Sequence, residues 1–450
     1  MKELVMPVRR SSIRWEMVEI ELRGAQLREA KHAMSSWLPC RGCGLSDFPL
    51  GGSPWSPRHR AMVPMVDLGN LPLANRLLNV TSTSNAAYPL VVYYCHNCAL
   101  IQLADLVPRT EMFTDYVYLT SASKTMMEHF DRYAEGITRR LDLTAKDRVL
   151  DVGSNDGTLL KAFQRRGARV LGIEPARNVA SIAEAAGVPT LTDYFDLKLA
   201  KRLEKVRLVT ANNILSHVGS LRDFLATVAH VLRPNGLFVF EVPWVADVLR
   251  NNSFDMIYHE HLSYFGLKPL TRALREEGLF LVDLEYYPSI HGGTFRGFAS
   301  PSFEEPSPLV KEMSAREEKE ADFWALRDFS ERVPKLAHHL RDMLLSLKKE
   351  GKRIAGYGAP AKATILLNYC GIGRDILDYA SDTTPLKQGK LIPGVKIPVV
   401  SPELARTKPP DYYLLLAWNF RQEILAKEKE FLDKGGRFVV PFPQPEFVDS

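Results

Sequence analysis

The stretch Arg148-Val-Leu-Asp-Val-Gly-Ser-Asn-Asp-Gly-Thr-Leu-Leu-Lys161 has the form of an apolar strand, a glycine-containing turn and the first turn of a helix. Gly153 and Gly157 have no side chains, so a ligand can approach the backbone closely at the amino end of that helix. The spacing Asp-x-Gly-x-x-x-Gly differs from the Gly-x-Gly-x-x-Gly spacing of dinucleotide-binding proteins. It predicts a nucleoside-binding α/β domain. The residues that we expect at the ligand are Asp151, Gly153, Asn155 and Gly157.

Later segments continue this pattern. The apolar run that follows ends at Glu174, where a carboxylate can accept hydrogen bonds from both ribose hydroxyls. Another apolar run ends at Asn212, and Pro234-Asn-Gly236 predicts the turn into the next strand. Together these motifs resemble the class I S-adenosylmethionine-dependent methyltransferases. The resemblance implies that Glu174 and Asn212 bind the cofactor and that Thr192–Phe195 lies near its adenine. A doubly wound domain with a different ligand is the alternative.

Four of the five cysteines form two pairs with the same spacing, Cys40-Arg-Gly-Cys43 and Cys95-His-Asn-Cys98. Two residues between thiolates let one tight turn present both sulfurs to one ion, and two such turns complete a tetrahedral Zn²⁺ site. A site with four thiolates has no open coordination position, so we expect the zinc to be structural. Disulfide or redox chemistry is the alternative, which a reducing compartment disfavours. The fifth cysteine, Cys370, is expected in a core.

The stretch Tyr258-His-Glu-His-Leu-Ser-Tyr264 places three groups that can move or steer a proton within four residues. These groups are Tyr258, Glu260 and His261. A histidine beside a carboxylate can act as a general base, and a satisfied core or surface histidine is the alternative. His217 follows the predicted fourth strand, where side chains face the ligand crevice of an open α/β sheet. Tyr116 and Tyr118 belong to a hydroxyl-rich loop and are candidates for substrate contact.

The second half of the chain predicts a helical linker and a third domain. Residues 307–350 are strongly charged, with leucines at helical spacing, and predict long amphipathic helices that Pro334 kinks or breaks. The segment from Lys352 to Lys362 then repeats the pattern of strand, glycine turn and helix. It predicts a small Rossmann-like domain whose glycines and Lys362 hold a phosphate group. A purely structural copy is the alternative.

The order of these pieces resembles one family, the bacterial C-methyltransferases that act on nucleotide-activated 4-keto-deoxysugars, of the type whose sugars carry thymidine diphosphate. The resemblance covers roughly Cys40 to the C-terminus. Gly266 and Ala363 depart from the family pattern, where serine and glycine are expected, and this puts substrate choice in doubt more than reaction type. The motifs that carry the resemblance are the two cysteine pairs, Asp151–Gly157, Tyr258–His261, His291-Gly-Gly293 and Gly356–Lys362.

The resemblance implies an α/β architecture. A class I methyltransferase core with a Rossmann-like sheet is flanked by a small N-terminal zinc-binding domain and a C-terminal Rossmann-like domain. The expected boundaries are an N-terminal arm at 1–39, the zinc-binding domain at 40–112, the methyltransferase domain at 113–306, the helical linker at 307–350 and the C-terminal domain at 351–450.

The resemblance also implies a reaction. Carbon becomes nucleophilic only when a proton α to a carbonyl is removed, so a 4-keto sugar needs a base near C3 and a group that stabilises the enolate. By resemblance, His261 is the base and Glu260 orients or charges it. Tyr258 and His217 stabilise the enolate or position the sugar, Tyr116 or Tyr118 assists, and the nucleotide lies near Lys362.

Composition is consistent with this interpretation. The 450 residues carry a net charge of +5 without a long basic block, so nucleic acid is not an expected partner. No apolar run reaches the roughly 18 residues of a membrane span, and no signal peptide is evident, so the expected location is the cytoplasm. Methylation of oxygen or nitrogen, or a zinc-stabilised nucleotide-binding protein without activity, are the alternative functions. The oligomeric state stays open.

Overall fold

The computed structural model describes residues 39–45, 62–103, 107–108, 112 and 118–448. The predicted arm up to residue 38, and Tyr116, lie outside the described residues. Residues 38–450 form one compact unit. No helix in the described part of the chain is both long enough and apolar enough to cross a membrane.

The zinc-binding region is built on a small antiparallel sheet. Its strands are β1 (Met62–Leu71), β2 (Tyr88–Cys95) and β3 (Ile101–Leu103). Strand β1 continues to Leu71, and its residues Val66, Leu68 and Leu71 are buried, although two register shifts against β2 interrupt the strand alternation.

The central region is a seven-stranded sheet between helices. Its strands run in the order β10-β11-β8-β7-β4-β5-β6, with β4 to β8 parallel and β10 and β11 antiparallel. The strands of this region are β4 (Arg148–Val152), β5 (Arg169–Ile173), β6 (Thr190–Leu191), β7 (Val206–Asn212), β8 (Leu232–Pro243), β9 (Ser263–Tyr264), β10 (Phe280–Tyr287) and β11 (Thr294–Ser300). Its helices are α1 (Lys124–Leu141), α2 (Thr158–Arg165), α3 (Arg177–Ala185), α4 (Leu197–Ala200), α5 (Leu221–Val231), α6 (Val245–Arg250) and α7 (Leu267–Glu276).

The strand order reverses between β4 and β7, which are neighbours in the sheet but not in the chain. Open α/β sheets bind ligands outside the carboxyl ends of the strands at such a reversal. The doubly wound core predicted from Arg148 onward is therefore present, and its ligand crevice is fixed by topology. The short strand β9 leaves this sheet and instead pairs with β3, so it extends the zinc-region sheet to four strands.

Two helices, α8 (Pro308–Glu320) and α9 (Phe323–Lys349), occupy the predicted linker. Of the kink or break predicted at Pro334, the break is not present, because α9 runs through it, with buried residues from Leu326 to Leu347 on both sides. The chain breaks earlier, where the Asp322 side chain accepts a hydrogen bond from the Ala325 amide and caps α9.

The linker helices also explain one departure from the family pattern. The buried carboxylate of Glu317 accepts hydrogen bonds from the Lys268 amide and from Trp244 Nε1, both 2.9 Å long, at the start of α7. A Cβ on Gly266 would lie 2.5 Å from Glu317 Oε1. A serine at this position would therefore displace the carboxylate that caps α7.

The C-terminal region is a smaller doubly wound domain with strand order β14-β13-β12-β15-β16-β17. The order reverses between β12 and β15, so Lys362 and Asn419, which follow these two strands, lie at the second crevice. The elements are β12 (Ile354–Tyr357), α10 (Ala361–Tyr369), β13 (Ala380–Ser381), β14 (Val399–Val400), α11 (Pro402–Thr407), β15 (Tyr412–Leu415), α12 (Arg421–Lys427), α13 (Lys429–Asp433), β16 (Arg437–Val440) and β17 (Glu446–Val448). Cys370, at the end of α10, is buried as predicted.

Candidate active site

One cavity of about 790 Å³ lies between the two doubly wound domains, a volume in the range of ligand sites. The carboxyl ends of the central strands line one end, and Lys362 and Asn419 of the C-terminal domain line the other. Between them lie Tyr258, His261 and His291. Among the described residues, none from the zinc-binding region lines the cavity. We call the two ends the nucleoside end and the lysine end.

Glu174 is fixed by the backbone of the nucleoside end. Its two carboxylate oxygens accept hydrogen bonds from the Asn155 amide, at 3.0 Å, and the Ala176 amide, at 2.9 Å. Burial raises the pKa of Glu174, and these two amides oppose the shift. A carboxylate held this way keeps lone pairs for ligand hydroxyls. Its position after β5 agrees with the predicted ribose-binding role.

Asp151 lines the same end at the close of β4. Its Oδ1 accepts a 2.7 Å hydrogen bond from Thr210 Oγ1 on β7. Burial raises the pKa of Asp151 to about 7, Thr210 opposes the shift and the Glu174 charge adds to it. The two neighbouring carboxyl groups therefore share a low-dielectric site, where a bound hydroxyl or ammonium group would favour the ionised form.

Gly153 of the turn lines the cavity, whereas Gly157 is not among the lining residues and packs against Val188 and Ala183. Gly153 and Gly157 both have positive φ, 71° and 76°. A Cβ on Gly153 would lie 2.1 Å from Cδ1 of Ile214, which itself lines the cavity. A Cβ on Gly157 would lie 2.9 Å from Val188. Side chains are therefore excluded at both positions by conformation and by space.

Asn155 uses its side chain inside the protein. Its Oδ1 accepts hydrogen bonds from the amide and hydroxyl of Thr120, at 3.0 and 3.2 Å, and its Nδ2 donates to the Tyr118 carbonyl. Asn155 therefore fastens the loop before α1 over the turn, and Tyr118 of that loop lines the cavity. The side chain of Asn155 therefore holds its surroundings in place, and because the residue also lines the cavity, its cofactor-binding role stays a prediction.

The nucleoside end fits an adenosyl cofactor. Tyr194 and Phe195, from the segment expected near adenine, line the cavity. Asn212 lines it as well, and its Oδ1 is buried without a hydrogen-bond partner within the described residues. A buried amide oxygen without a partner is costly in the absence of a ligand group. The paired carboxyl groups and the aromatic wall suit the ribose, ammonium and adenine groups of such a molecule.

The ring of His261 is held by hydrogen bonds at both nitrogens. Nδ1 lies 3.0 Å from the Met256 carbonyl, which can only accept, so Nδ1 carries the proton. Burial holds the pKa of His261 well below its usual value, with His217 and His291 adding to the effect. The ring is therefore neutral, and its Nε2 accepts a 2.7 Å hydrogen bond from the Tyr258 hydroxyl. This arrangement presents an unprotonated nitrogen beside the cavity.

His217 and Glu260 differ in their relation to that ring. His217 lines the cavity, its ring lies 5.0 Å from the His261 ring, and burial lowers its pKa to about 4. Glu260 was predicted to orient His261, but the Met256 carbonyl does so. The Glu260 carboxylate accepts hydrogen bonds of 2.9 and 2.7 Å from Asn75 of the zinc-binding region. Adjacent positions in a turn direct the two side chains to different partners.

Lys362 is only 7% exposed at the lysine end. Its Nζ donates a 2.6 Å hydrogen bond to Asn419 Oδ1 and lies 3.7 Å from the centre of the Trp418 ring. Trp418 Nε1 in turn donates to the carboxylate of Asp255, which is fully buried. Burial lowers the pKa of Lys362 to about 8, and the charge of Asp255 opposes that shift. The ammonium group thus faces the cavity with few fixed partners.

Several residues of the cavity wall or its support were not predicted as site residues, and three polar ones are prominent among them. Asp255 and Asn419 belong to the lysine end, and His291 lies between the two ends. Only His291 had a sequence signal, because His291-Gly-Gly293 is one of the motifs that carry the family resemblance. Asp255 and Asn419 lie in segments with no motif of their own, and only the tertiary structure brings them to the cavity.

The four cysteines fit a zinc ion. Their sulfurs all lie within 4.8 Å of one another, with Cys40–Cys98 at 3.5 Å and Cys43–Cys95 at 3.8 Å. Four thiolates at about 2.3 Å from a central zinc would be separated by about 3.8 Å from one another. Gln102 Nε2 donates to Cys40 Sγ at 3.1 Å, the type of outer contact that orients metal ligands.

The cysteine turn is connected directly to the Tyr258–Tyr264 stretch. Arg41, between two of the cysteines, contacts the Leu103 carbonyl through its guanidinium group, and its amide donates to Gln102 Oε1. Strand β3 pairs with β9, where Gln102 lies opposite Ser263. The turn that carries Tyr258 and His261 is therefore held by the zinc-binding region, although none of the described residues of that region lines the cavity.

Three family profiles match the chain. They describe a C-methyltransferase C-terminal domain at residues 289–443, a methyltransferase domain at residues 127–284 and a zinc binding domain at residues 58–113. The last one contains Cys95 and Cys98, whereas Cys40 and Cys43 precede it.

The chain is also similar to individual proteins. The C-methyltransferase NovU of Streptomyces niveus is 37% identical over 421 residues, which are 91% of this chain and 97% of NovU. A ubiquinone biosynthesis O-methyltransferase of Methylobacterium sp. (strain 4-46) is 35% identical over 97 residues, 20% of this chain and 38% of that protein. Among solved structures, magnesium protoporphyrin IX methyltransferase of Synechocystis PCC 6803 with bound SAH aligns with a TM-score of 0.33 and 13% identity, over 39% of this chain and 83% of that chain.

Proposed function

The chain belongs to the C-methyltransferase family, and we propose that it methylates C3 of a nucleotide-activated 4-keto-deoxysugar through an enolate. It is an S-adenosylmethionine-dependent methyltransferase with a structural zinc site. The observation that carries the proposal is the Tyr258–His261 pair. A neutral imidazole with a fixed tautomer and a phenol hydroxyl 2.7 Å away lie together on the cavity wall.

The bound cofactor supplies an electrophilic methyl group on a sulfonium, and the protein must supply the carbon nucleophile. In the proposed mechanism, Asp151 and Glu174 hold the cofactor at the nucleoside end, where their burial strengthens contacts with its ammonium and hydroxyl groups. Asn212 contributes an amide oxygen that has no other partner in the described structure. Holding both reactants in one cavity supplies the orientation that an in-line transfer needs.

His261 acts as the base in this proposal. Because burial lowers the pKa of His261 well below its usual value, Nε2 is unprotonated in the free protein at neutral pH. An imidazole with a low pKa is a weak base in the free protein. Its basicity increases during the reaction, because a negatively charged enolate forms next to it as the proton is transferred. The negative charge of the enolate stabilises the imidazolium in a cavity of low dielectric constant. The Nδ1 contact with the Met256 carbonyl persists in both charge states and keeps the ring in place.

Tyr258 is proposed to stabilise the enolate oxygen, and His217 to position the sugar. When the substrate takes up the position beside Nε2, the Tyr258 hydroxyl can turn from Nε2 to the oxygen on the neighbouring carbon and donate there. His217 lines the cavity 5.0 Å from the His261 ring, and its one N–H is used by the Glu260 backbone, so it can only accept a hydrogen bond from the sugar. Tyr118 lines the same cavity as a further substrate contact.

The phosphate groups of the substrate are proposed to lie at the lysine end. Lys362 is the cation of that end, and its hydrogen bond to Asn419 fixes the direction of the ammonium group. Burial lowers the pKa of Lys362. The negative charge of a bound diphosphate would raise that pKa again, in the same direction as the charge of Asp255. The sugar would then lie between Lys362 and His261.

The reaction can be tested in D₂O with purified protein, S-adenosylmethionine and a panel of thymidine-diphosphate 4-keto-deoxysugars. We expect a methylated sugar that has lost its C3 hydrogen, and deuterium at C3 of unreacted sugar when the cofactor is omitted. Both carbons beside the C4 carbonyl carry acidic hydrogens. Loss from C5, or a methyl group on oxygen or nitrogen, would contradict the proposal and would be visible in the same mass and NMR spectra.

A further inference from the structure

His291 occupies a place in the cavity that the proposed mechanism does not use. It lines the cavity wall with His261 and Lys362. His291 lowers the pKa of His261 by electrostatic interaction, and Lys362 lowers the pKa of His291 in the same way. Its Nε2 atom is buried and has no hydrogen-bond partner among the residues that the structure describes. A buried polar atom without a partner costs free energy unless a ligand supplies the missing hydrogen bond.

The backbone holds His291 in place at some cost. Its φ is 51°, in the left-handed region that non-glycine residues seldom adopt. The two glycines that follow explain why the turn cannot relax. A Cβ on Gly292 would lie 2.6 Å from the Trp418 ring, and a Cβ on Gly293 would lie 2.0 Å from Oδ2 of Asp247. The His291-Gly-Gly turn is thus packed between the buried carboxylate of Asp247 and the ring of Trp418, which contacts Lys362.

The charge state of His291 is also settled by its surroundings. Burial lowers its pKa to about 4, the buried carboxylate of Glu241 opposes that shift, and Lys362 and His129 reinforce it. The imidazole is neutral at any working pH and cannot bind a phosphate by charge. A neutral imidazole in a dry site offers one donor and one acceptor, which suits a hydroxyl or carbonyl oxygen.

We infer that His291 contacts the substrate directly, and that its Nε2 forms a hydrogen bond with an oxygen of the sugar ring or its hydroxyls. This inference rests on the proposed function. Lys362 would hold the diphosphate, His261 would take the proton, and His291 would fix the rotation of the sugar between them. Strain at His291 keeps the imidazole ready for that contact. The residue is therefore a determinant of sugar specificity.

Two variants separate substrate contact from folding, because both accept positive φ. His291→Gly removes the imidazole, and His291→Asn keeps a donor and an acceptor on a shorter side chain. We expect His291→Gly to lower kcat/KM for the 4-keto sugar by roughly 10- to 100-fold. Its C3 deuterium exchange without cofactor should fall in proportion, and its Kd for S-adenosylmethionine should stay within twofold. His291→Asn should recover a large part of the loss.

NMR of ¹⁵N-histidine-labelled protein adds a direct readout. The Nε2 resonance absent from the His291→Asn spectrum should shift when the wild-type protein binds the thymidine-diphosphate 4-keto sugar. Equal rates for His291→Gly and wild type, equal losses in both variants, or an unmoved resonance would each overturn the inference while C-methylation by wild type continued. If the wild-type protein methylates no 4-keto sugar, the proposed function fails and the inference falls with it.

Discussion

At the nucleoside end, Glu174 takes its hydrogen bonds from backbone amides 2 and 19 positions away, whereas near His261 the carboxylate of Glu260 takes both of its hydrogen bonds from Asn75, 185 positions earlier. Both carboxyl groups are buried. One is held by the turn in which it lies, and the other by a different region of the chain. The nucleoside end is thus held by residues that are close together in the sequence. The part of the cavity around His261 is held by residues that are far apart in the sequence.

The part of the cavity around His261 depends on three regions of the chain, one of which does not contribute described residues to the cavity wall. His261 comes from the central region, Lys362 from the C-terminal domain, and the turn before β9 is held by the zinc-binding region. This difference predicts that the two halves can be damaged separately. Binding of S-adenosylmethionine should depend on the central sheet alone, whereas deprotonation of the sugar should depend on contacts among all three regions.

The largest separation is expected for His261→Asn. Removal of the proposed base should lower kcat by roughly 10³- to 10⁴-fold, because general base catalysis supplies a factor of about 10²–10⁴ and the enolate cannot form otherwise. The Kd for S-adenosylmethionine should stay within twofold, since His261 is not at the nucleoside end. Calorimetry measures the Kd for S-adenosylmethionine, and C3 deuterium exchange measures deprotonation of the sugar. A kcat within tenfold of the wild-type value would remove His261 from the mechanism.

Loss of the zinc site should come next. Cys40→Ser replaces one of the four thiolate ligands with a hydroxyl, so the cysteine turn should loosen and β3 should lose the order that it imposes on β9. We expect turnover to fall by about 100-fold or more, with zinc content reduced in elemental analysis and cofactor binding retained.

The matched control for this variant is Cys370→Ser, which changes a buried cysteine that is not part of the cluster. It should leave the zinc content unchanged. Equal loss of cofactor binding and turnover in Cys40→Ser would show that the zinc-binding region supports the whole fold and not the reacting half alone.

The same contrast explains what the sequence could predict. Asp151, Gly153 and Glu174 lie in one strand–turn–helix unit and the strand after it, so local patterns were enough to predict that they line the cavity. The partner of Glu260 could not be found this way, because nothing in the sequence of the Tyr258–Tyr264 stretch points to Asn75. Asp255 and Asn419 had no signal either, since their places depend on how two domains pack.

The fold shows the same limit on a smaller scale. The doubly wound core followed from strand and glycine patterns that repeat within a few tens of residues. The uninterrupted course of α9 through Pro334 did not, because burial of side chains between Leu326 and Leu347 outweighs the loss of one backbone hydrogen bond. Tertiary packing thus outweighs the local tendency of Pro334 to end a helix.

The nucleoside end can be weakened alone by Glu174→Gln. An amide in place of the carboxylate cannot accept hydrogen bonds at both ends, so one backbone amide or one ligand hydroxyl loses its partner. The Kd for S-adenosylmethionine should rise by roughly 10- to 30-fold, as one charge-assisted hydrogen bond implies.

Deuterium exchange at C3 in the absence of cofactor should continue at the wild-type rate in Glu174→Gln. Glu184→Gln, an exposed change on α3, is the control and should alter neither quantity. A fall in exchange in Glu174→Gln would mean that the two halves of the cavity are not independent.

The smallest effect should come from Asn75→Ala, which removes the two hydrogen bonds that the Asn75 side chain donates to Glu260. Glu260 is 3% exposed, and burial raises its pKa to about 7 although Asn75 opposes that shift. A carboxyl group whose folded pKa lies above its unfolded value of about 4.5 destabilises the fold as pH rises between the two values. Without Asn75 the folded pKa rises further, so the stability loss continues above pH 7.

The wild-type and Asn75→Ala proteins should therefore unfold at similar denaturant concentrations near pH 5.5, where Glu260 is protonated in both. Near pH 8.5 the variant should be less stable by about 1–3 kcal/mol, the cost of leaving a buried charged group unsatisfied. Denaturant unfolding at the two pH values measures the difference. A loss of equal size at both values would mean that Asn75 acts through packing and that the charge of Glu260 does not couple the zinc-binding region to the turn of His261.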